Sequence, residues 1–289
     1  MISVIMPTHR RMPLLHITLL SVFSQDFDDW ELVVVDASED MYFSNALEDI
    51  FNTYWYVGKY KDLVKDKIKI VRPNEGYKCP GKMKMDGFRN CTQDNDFCVF
   101  LDHDDMIVRH LLKNMSDAYK LYPNTEMFTA DYTSFIHNKG DISPNLVSYM
   151  GGVECGEIPT LNFGDFYYNF SNNPLLRWTN VHKWKACMTP KIIAKDALRR
   201  NQFLFVEDAT IMDDALFPVM THSLHETKLD MVAYVYVVYF DFVQNSTSNI
   251  QSEGDVKAFA ETCNNYLELL DKVGFIKKRN VFVPKNKET

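Results

Sequence analysis

The sequence predicts an α/β protein: a doubly wound, mixed but mostly parallel sheet flanked by helices, with a C-terminal helical extension. Three observations carry this expectation. Strand and helix signals alternate through the first hundred residues. The run at 30–35, Trp-Glu-Leu-Val-Val-Val, is rich in β-branched residues, as suits a strand covered on both faces of a parallel sheet. Each strand stops at a short polar or proline-bearing segment, where a right-handed crossover can begin.

The elements follow in order. Residues 3–6 form an apolar strand ended by Pro7-Thr8. Pro13 suits a first helical turn, and Leu15, Leu19 and Val22, with Leu20 and Phe23, then recur at helical spacing over 14–23. The second strand, 30–35, empties into Asp36-Ala37-Ser38-Glu39-Asp40, and an aromatic-rich helical stretch spans 43–65. Residues 67–71 make a third strand, closed by Arg72-Pro73-Asn74-Glu75-Gly76. Residues 97–101 make a fourth, closed by Asp102-His103-Asp104-Asp105. The second half is less regular: 138–176 is rich in Gly, Asn and Pro and reads as loops of the kind that cover a site. Short helices are expected at 191–200 and 213–220, and a bent strand or hairpin at 231–243. A helix is expected at 254–273, with Val256, Phe259, Ala260, Cys263, Tyr266, Leu267 and Leu270 on one stripe.

Composition sets the bounds. The 289 residues are 46% hydrophobic and 24% charged, which excludes a disordered or collagen-like chain. A formal charge of -8 gives no global attraction to nucleic acid or anionic lipid, though a local patch could. Six cysteines without a Cys-x-x-Cys pair suit reduced thiols better than a disulfide frame or a zinc site. The longest apolar run, 231–240, falls short of the ~20 residues a membrane helix needs. The opening residues lack the features of a secretory leader, so a cytoplasmic enzyme is expected.

Three acidic segments could carry chemistry. Asp102, Asp104 and Asp105 stand at the end of a buried strand, where open α/β sheets bind ligands, and clustered carboxylates invite a hard divalent cation such as Mg2+ or Mn2+. The plainer alternative is a solvated turn whose Asp104 or Asp105 caps a helix starting near Met106. Asp36 could accept hydrogen bonds from a base or ribose, or only initiate an Asp-x-Ser turn. Asp213 and Asp214, with Glu207 and Asp208 nearby, could include a general base, or simply cap a helix. One of His103, His182, His222 and His225 could join a metal shell, though no His-x-x-x-His pair is seen. Trp178, Trp184, Tyr167 and Tyr168 could stack on a sugar or base, or pack a core or lid. No Gly-x-Gly-x-x-Gly and no P-loop pattern occurs, which excludes those nucleotide folds.

The order of these segments resembles the family 2-type inverting glycosyltransferases of the GT-A fold. Ser3-Val-Ile-Met-Pro-Thr8 resembles the family's opening strand, and Val33-Val-Val-Asp36-Ala-Ser38 its base-binding segment. Phe100-Leu-Asp102-His-Asp104-Asp105 resembles its Asp-x-Asp metal motif, and Met212-Asp213-Asp214-Ala-Leu-Phe217 its Glu-Asp catalytic segment. Tyr239-Phe-Asp-Phe-Val-Gln-Asn245-Ser246 is similar to a segment that often follows. The resemblance implies a GT-A-like nucleotide-sugar-binding and catalytic domain over 1–225, with 226–289 as a strand/helix extension packed on it. It implies that Pro7, Thr8 and Asp36 hold the nucleotide base, most often uracil. Asp102 would face ribose or metal, and Asp104 would ligate a Mn2+ or Mg2+ bridging the donor diphosphate. Arg72, Lys82 and Lys84 would be cations near the nucleotide, unless they form a solvated basic loop. Asp214, or failing it Asp213, would be the base. The sequence departs from the family in showing Asp-Asp for Glu-Asp, with Glu207-Asp208 competing, and in shortening Asp-Asp-Gly-Ser to Asp36-Ala-Ser.

The implied reaction is metal-dependent transfer of a sugar, with inversion, from a nucleoside-diphosphate donor such as a UDP-sugar to an acceptor hydroxyl. A glycan is the expected acceptor. A hydroxymethylated DNA base is the alternative, with Lys191, Lys195, Arg199, Arg200 and Lys277-Lys278-Arg279 as its basic clusters. A nucleotidyltransferase is a rival, but the loop after the first strand reads Pro7-Thr8-His9-Arg10-Arg11 and is not Gly-rich. A non-catalytic nucleotide-sugar-binding module on the same fold is another.

Overall fold

Strands that are apolar on both faces pull helices to both faces, and the chain begins with two of them. The computed structural model describes residues 1–9, 12–38, 40–73, 79–92, 96–137, 191–200, 224–239, 275–278 and 281–284. In chain order these form β1 (Ile2–Thr8), α1 (Met12–Phe23), β2 (Trp30–Asp36), α2 (Tyr42–Thr53), α3 (Trp55–Gly58), α4 (Lys61–Lys65) and β3 (Ile68–Val71). There follow α5 (Pro80–Asn90), β4 (Phe97–Phe100), β5 (Met106–Ile107), α6 (Leu111–Leu121) and β6 (Met127–His137). The rest comprises β7 (Lys191–Ala194), α7 (Lys195–Arg200), β8 (Glu226–Tyr239), β9 (Phe275–Lys278) and β10 (Val281–Pro284).

Every residue of β1 and β2 is buried. Because side chains alternate along a strand, Val4, Met6, Leu32 and Val34 meet one apolar layer and Ile5 and Val33 the other. The first layer holds α1, α2 and α6 through Leu15, Leu19, Phe43, Ile50, Leu112 and Met115. The second holds α5 and α7 through Met85, Ala197 and Leu198. Each such buried aliphatic side chain stabilises the fold by about 1.5–3 kcal/mol relative to leaving it exposed.

Among the described residues the main sheet has eight strands in the order β3-β2-β1-β4-β7-β6-β8-β5. β3, β2, β1 and β4 are mutually parallel, as is the β6/β8 pair. β7 and β5 run antiparallel to their neighbours, so the sheet is mixed and mostly parallel, as expected. The chain lays β2 and β3 on one side of β1 and then places β4 on the other. That reversal creates a crevice at the carboxyl ends of β1 and β4, where ligands bind in open α/β sheets.

Several local expectations are corrected. The stretch 43–65 is three helices, broken where Tyr54 adopts extended backbone (φ -105°, ψ 97°). The chain doubles back tightly there: a Cβ on Gly58 would lie 2.6 Å from the Phe51 carbonyl oxygen. Residues 191–200 are a strand followed by a helix, because Ile192 and Ile193 are drawn between β4 and β6 before the turn into α7. The helix expected near Met106 is instead the short strand β5, paired with β8, and α6 begins only at Leu111. Helix α5 and strand β6 had no counterpart in the sequence reading. The loops at 138–176 and the helices at 213–220 and 254–273 lie outside the described residues. Of the C-terminal extension, β8 is built into the main sheet and β9–β10 form an antiparallel ribbon. Among the described residues Cys79, Cys91 and Cys98 form no disulfide, and burial pushes the Cys98 thiol well above its ordinary value. No helix among them is long and apolar enough to cross a membrane.

Candidate functional site

The parallel register brings the first two candidate segments together. Thr8, the last residue of β1, pairs with Asp36, the last residue of β2, and the Ala37 N–H donates to the Thr8 carbonyl at 3.0 Å. Pro7 lies one step back opposite Val35. Both Thr8 and Asp36 are buried. Asp36 does initiate the Asp-x-Ser turn: its Oδ1 accepts the Ser38 N–H at 3.1 Å. The turn uses only one carboxylate oxygen. The other, Oδ2, has no hydrogen-bond donor and faces Arg72 Nη2 at 3.6 Å. Arg72 follows β3 in the loop that leads to α5.

An unusual concentration of unsatisfied groups marks this edge. Five buried side-chain polar atoms among the described residues lack a hydrogen-bond partner. Four of them, Thr8 Oγ1, Asp36 Oδ2, Ser38 Oγ and His103 Nε2, stand at the carboxyl ends of β1, β2 and β4. The fifth, His16 Nε2, lies on α1 within 3.5 Å of Asp49, and burial holds that imidazole below its ordinary value against the pull of the carboxylate. Buried polar atoms are normally paired, and leaving one orphaned costs about 1–3 kcal/mol. Orphans clustered at a switch point are groups that a polar ligand or ordered water there would satisfy.

β4 delivers the third segment. The Leu101 N–H donates to the Ile5 carbonyl at 2.9 Å, extending the β1/β4 ladder by one bond before the chain turns through Asp102 and Asp104. The turn is fixed from three sides. The Asp105 N–H closes it on the Asp102 carbonyl at 3.1 Å, and Thr18 Oγ1 of α1 donates to the His103 carbonyl at 2.8 Å. Asp105 itself is buried and accepts the Tyr234 hydroxyl of β8 at 2.8 Å. Its carboxylate therefore anchors the turn from below, and no helix is capped by it. Asp105 and Tyr234 are the pair that sequence reasoning missed. Their link spans 129 residues, and no local pattern signals it.

Helix α5 brings the cations. Pro80 opens it, as suits a first helical position. Lys82 is partly buried on its first turn, and Lys84 is only 6% exposed. Lys84 Nζ lies 3.1 Å from Asp102 Oδ1. The helix can approach this closely because Gly87 leaves room: a Cβ there would meet Ile5 Cγ2 at 2.4 Å. The alternative of a solvated basic loop does not hold for Lys82 and Lys84, which lie on a packed helix, and Lys84 meets the acidic turn. The structure brings Pro7, Thr8, Asp36, Arg72, Lys84, Asp102 and Asp104 to one edge. Asp213, Asp214, Glu207 and Asp208 lie outside the described residues.

The donor chemistry for a metal is that of a hard ion. No group of three or more His, Cys, Asp or Glu side chains suited to a metal occurs among the described residues. Two carboxylates, Asp102 and Asp104, fit the habit of Mg2+-like ions that take one or two carboxylates and complete their shell with substrate phosphates.

Comparison with known proteins agrees with this layout. Residues 3–135 match the family model of Glycosyl transferase family 2. Over 258 residues the chain is 24% identical to the poly(ribitol-phosphate) beta-N-acetylglucosaminyltransferase TarP of Staphylococcus aureus, covering 86% of this chain and 68% of TarP. The crystal structure of S. aureus TarS 1-349 with UDP-GlcNAc superposes with a TM-score of 0.53 at 20% identity, covering 92% of this chain and 72% of that one. The chain spans 43% of a longer TarS structure. The mannosyltransferase PcManGT of Pyrobaculum calidifontis, solved with GDP-Man and Mn2+, matches with a TM-score of 0.50 at 17% identity, covering 94% of this chain and 63% of that one. These similarities establish the fold as GT-A-like.

Proposed function

We propose that this chain, whose residues 3–135 match the family model of Glycosyl transferase family 2, transfers a sugar from a UDP-linked donor to a glycan hydroxyl with inversion. The observation that carries the reading is the set of orphaned polar atoms at the ends of β1 and β2. An ionised carboxylate can only accept, so Asp36 Oδ2 calls for an N–H such as the ring imide of uracil, while hydroxyls at Thr8 and Ser38 can donate to carbonyls. The Asp-x-Asp turn lies beside those atoms, at the end of the neighbouring strand β4. TarS crystallised with UDP-GlcNAc supports a UDP-sugar as donor, and the polymer in the name of TarP supports a polyhydroxylated acceptor.

In this reading Thr8, Ser38 and Asp36 bind the base, with Arg72 balancing the Asp36 charge. Asp104 and Asp102 hold the divalent ion, Mn2+ or Mg2+, which would neutralise charge on the departing diphosphate. Lys84 adds fixed positive charge at the same place, which favours cleavage of the anomeric bond electrostatically, with Lys82 two residues before it on α5 as a further cation. Asp214 removes the acceptor proton, with Asp213 as its nearest substitute. A single displacement then inverts the anomeric carbon. The modified-DNA alternative loses part of its support, since Lys195 is 1% exposed and donates to the Thr92 carbonyl at 2.5 Å. That lysine belongs to the core and not to a polyanion-binding face.

A panel of UDP-sugars, scored for slow hydrolysis with Mn2+ and again with a chelator, tests donor and competence together. UDP-GlcNAc turnover that requires the metal is the expected result. Absence of both turnover and UDP binding would overturn the assignment.

A further inference from the structure

Burying a lysine is costly unless an anion accompanies it, and Lys84 is among the few buried charges at this edge. It sits in the middle of α5, between the buried Met83 and Met85, and one turn before the notch where Gly87 lies against Ile5. Its backbone is therefore held, and its ammonium has little freedom to leave. Its partner differs. The Asp102 side chain is 46% exposed, lies in a turn, and can swing away. The lysine is the fixed member of the pair and the carboxylate the movable one.

We propose that the Lys84–Asp102 ion pair couples divalent-cation binding to diphosphate binding, each ligand releasing the residue that the other needs. The inference rests on the donor reading above. A cation that takes Asp102 by itself strips a buried ammonium of that carboxylate. A diphosphate that reaches Lys84 by itself meets an ammonium already engaged and a carboxylate that repels it. When both arrive, phosphate oxygens replace Asp102 at Lys84, and Asp102 turns to the cation. The coupling is reciprocal by thermodynamic necessity. Lys84 is thus a positioning residue for the metal site as well as a diphosphate contact.

The test measures Mn2+ binding to the full chain by the electron paramagnetic resonance signal of free Mn2+, with and without UDP, beside thermal melts. Lys84→Met binds Mn2+ without UDP roughly tenfold more tightly than wild type, the scale of a lost hydrogen bond between charged groups, and responds less to added UDP. In an Asp102→Asn background the same change leaves Mn2+ affinity where it was, because the competition no longer exists. An equal gain in both backgrounds would mean a distant charge effect and would overturn the proposal. So would no gain in either. Asp102→Asn alone is the second arm, usable even where Lys84→Met does not fold. It removes the Asp102 carboxylate from Lys84 and binds UDP without metal roughly tenfold more tightly than wild type. Unchanged or weaker metal-free UDP binding contradicts the coupling. Wild-type protein that binds no UDP at all removes the donor reading, a result distinct from either failure.

Discussion

Asp36 shows how one side chain meets two demands. Its Oδ1 builds the turn and its Oδ2 accepts no hydrogen bond, so the turn role leaves the proposed base contact sterically and chemically open. Asp36→Ala should leave the strand pair intact and weaken UDP binding roughly ten- to a hundredfold, the worth of a hydrogen bond to a charged group. Titration calorimetry with UDP and CDP checks this, since cytosine offers no ring N–H and should be bound poorly by both proteins. Asp104→Asn and Asp214→Asn should both fold and both lose transfer, but only the first should lose metal-dependent UDP binding. Full activity in Asp214→Asn would remove it as the base.

Elements are positioned here by contacts that local patterns do not announce. Helix α5 was invisible to periodicity because Lys82, Lys84 and Asp86 interrupt its apolar face, yet Pro80 at its first turn was a usable signal. Its depth depends on Gly87. Gly87→Val would drive a β-branched side chain into Ile5 and Val35, and should cost about 1–3 kcal/mol of stability in urea unfolding. By displacing Lys84 it should also tighten Mn2+ binding in the absence of UDP, in the same direction as Lys84→Met. Tyr234→Phe leaves the buried Asp105 carboxylate short of a donor, at about 1–3 kcal/mol. Strands β1, β2 and β4 were legible because a fully buried parallel strand must be apolar on both faces. β7 was read as a helix because its four residues are too few to establish a period, and only the slot between β4 and β6 makes them extended.

Across the molecule, the edge opposite the site is closed by a polar cluster. Burial acts to raise the Glu31 carboxyl, but it is outweighed by hydrogen bonds from Ser3 Oγ (2.5 Å), the Thr92 hydroxyl and the Thr92 N–H, with Lys195 nearby. The net effect holds Glu31 below its ordinary value of 4.5. A carboxyl lowered in the fold adds stability that is fully present above its unfolded value and lost as pH falls through the folded one. Urea midpoints should therefore decline from about pH 4.5 downwards, and Glu31→Gln should flatten that acid limb while lowering stability at pH 7. An unchanged acid limb in the variant would assign acid sensitivity to other groups. The same cluster removes Lys195 from the surface, so a lysine that reads as part of a basic face is a tie between α7 and Thr92, just after α5.

The amino-acid order alone determined the sheet class, the first four strands β1 to β4 and the acidic segments that follow β2 and β4. Burial on two faces and the chemistry of turns are both written in short stretches of chain. Tertiary structure decided which of those acids share an edge and which charges are engaged. Asp105 became an anchor through Tyr234, Lys84 a buried partner of Asp102, and Lys195 a core residue. Such assignments depend on contacts between residues far apart in the chain, and on the cost of removing a charge from water, neither of which a local pattern encodes.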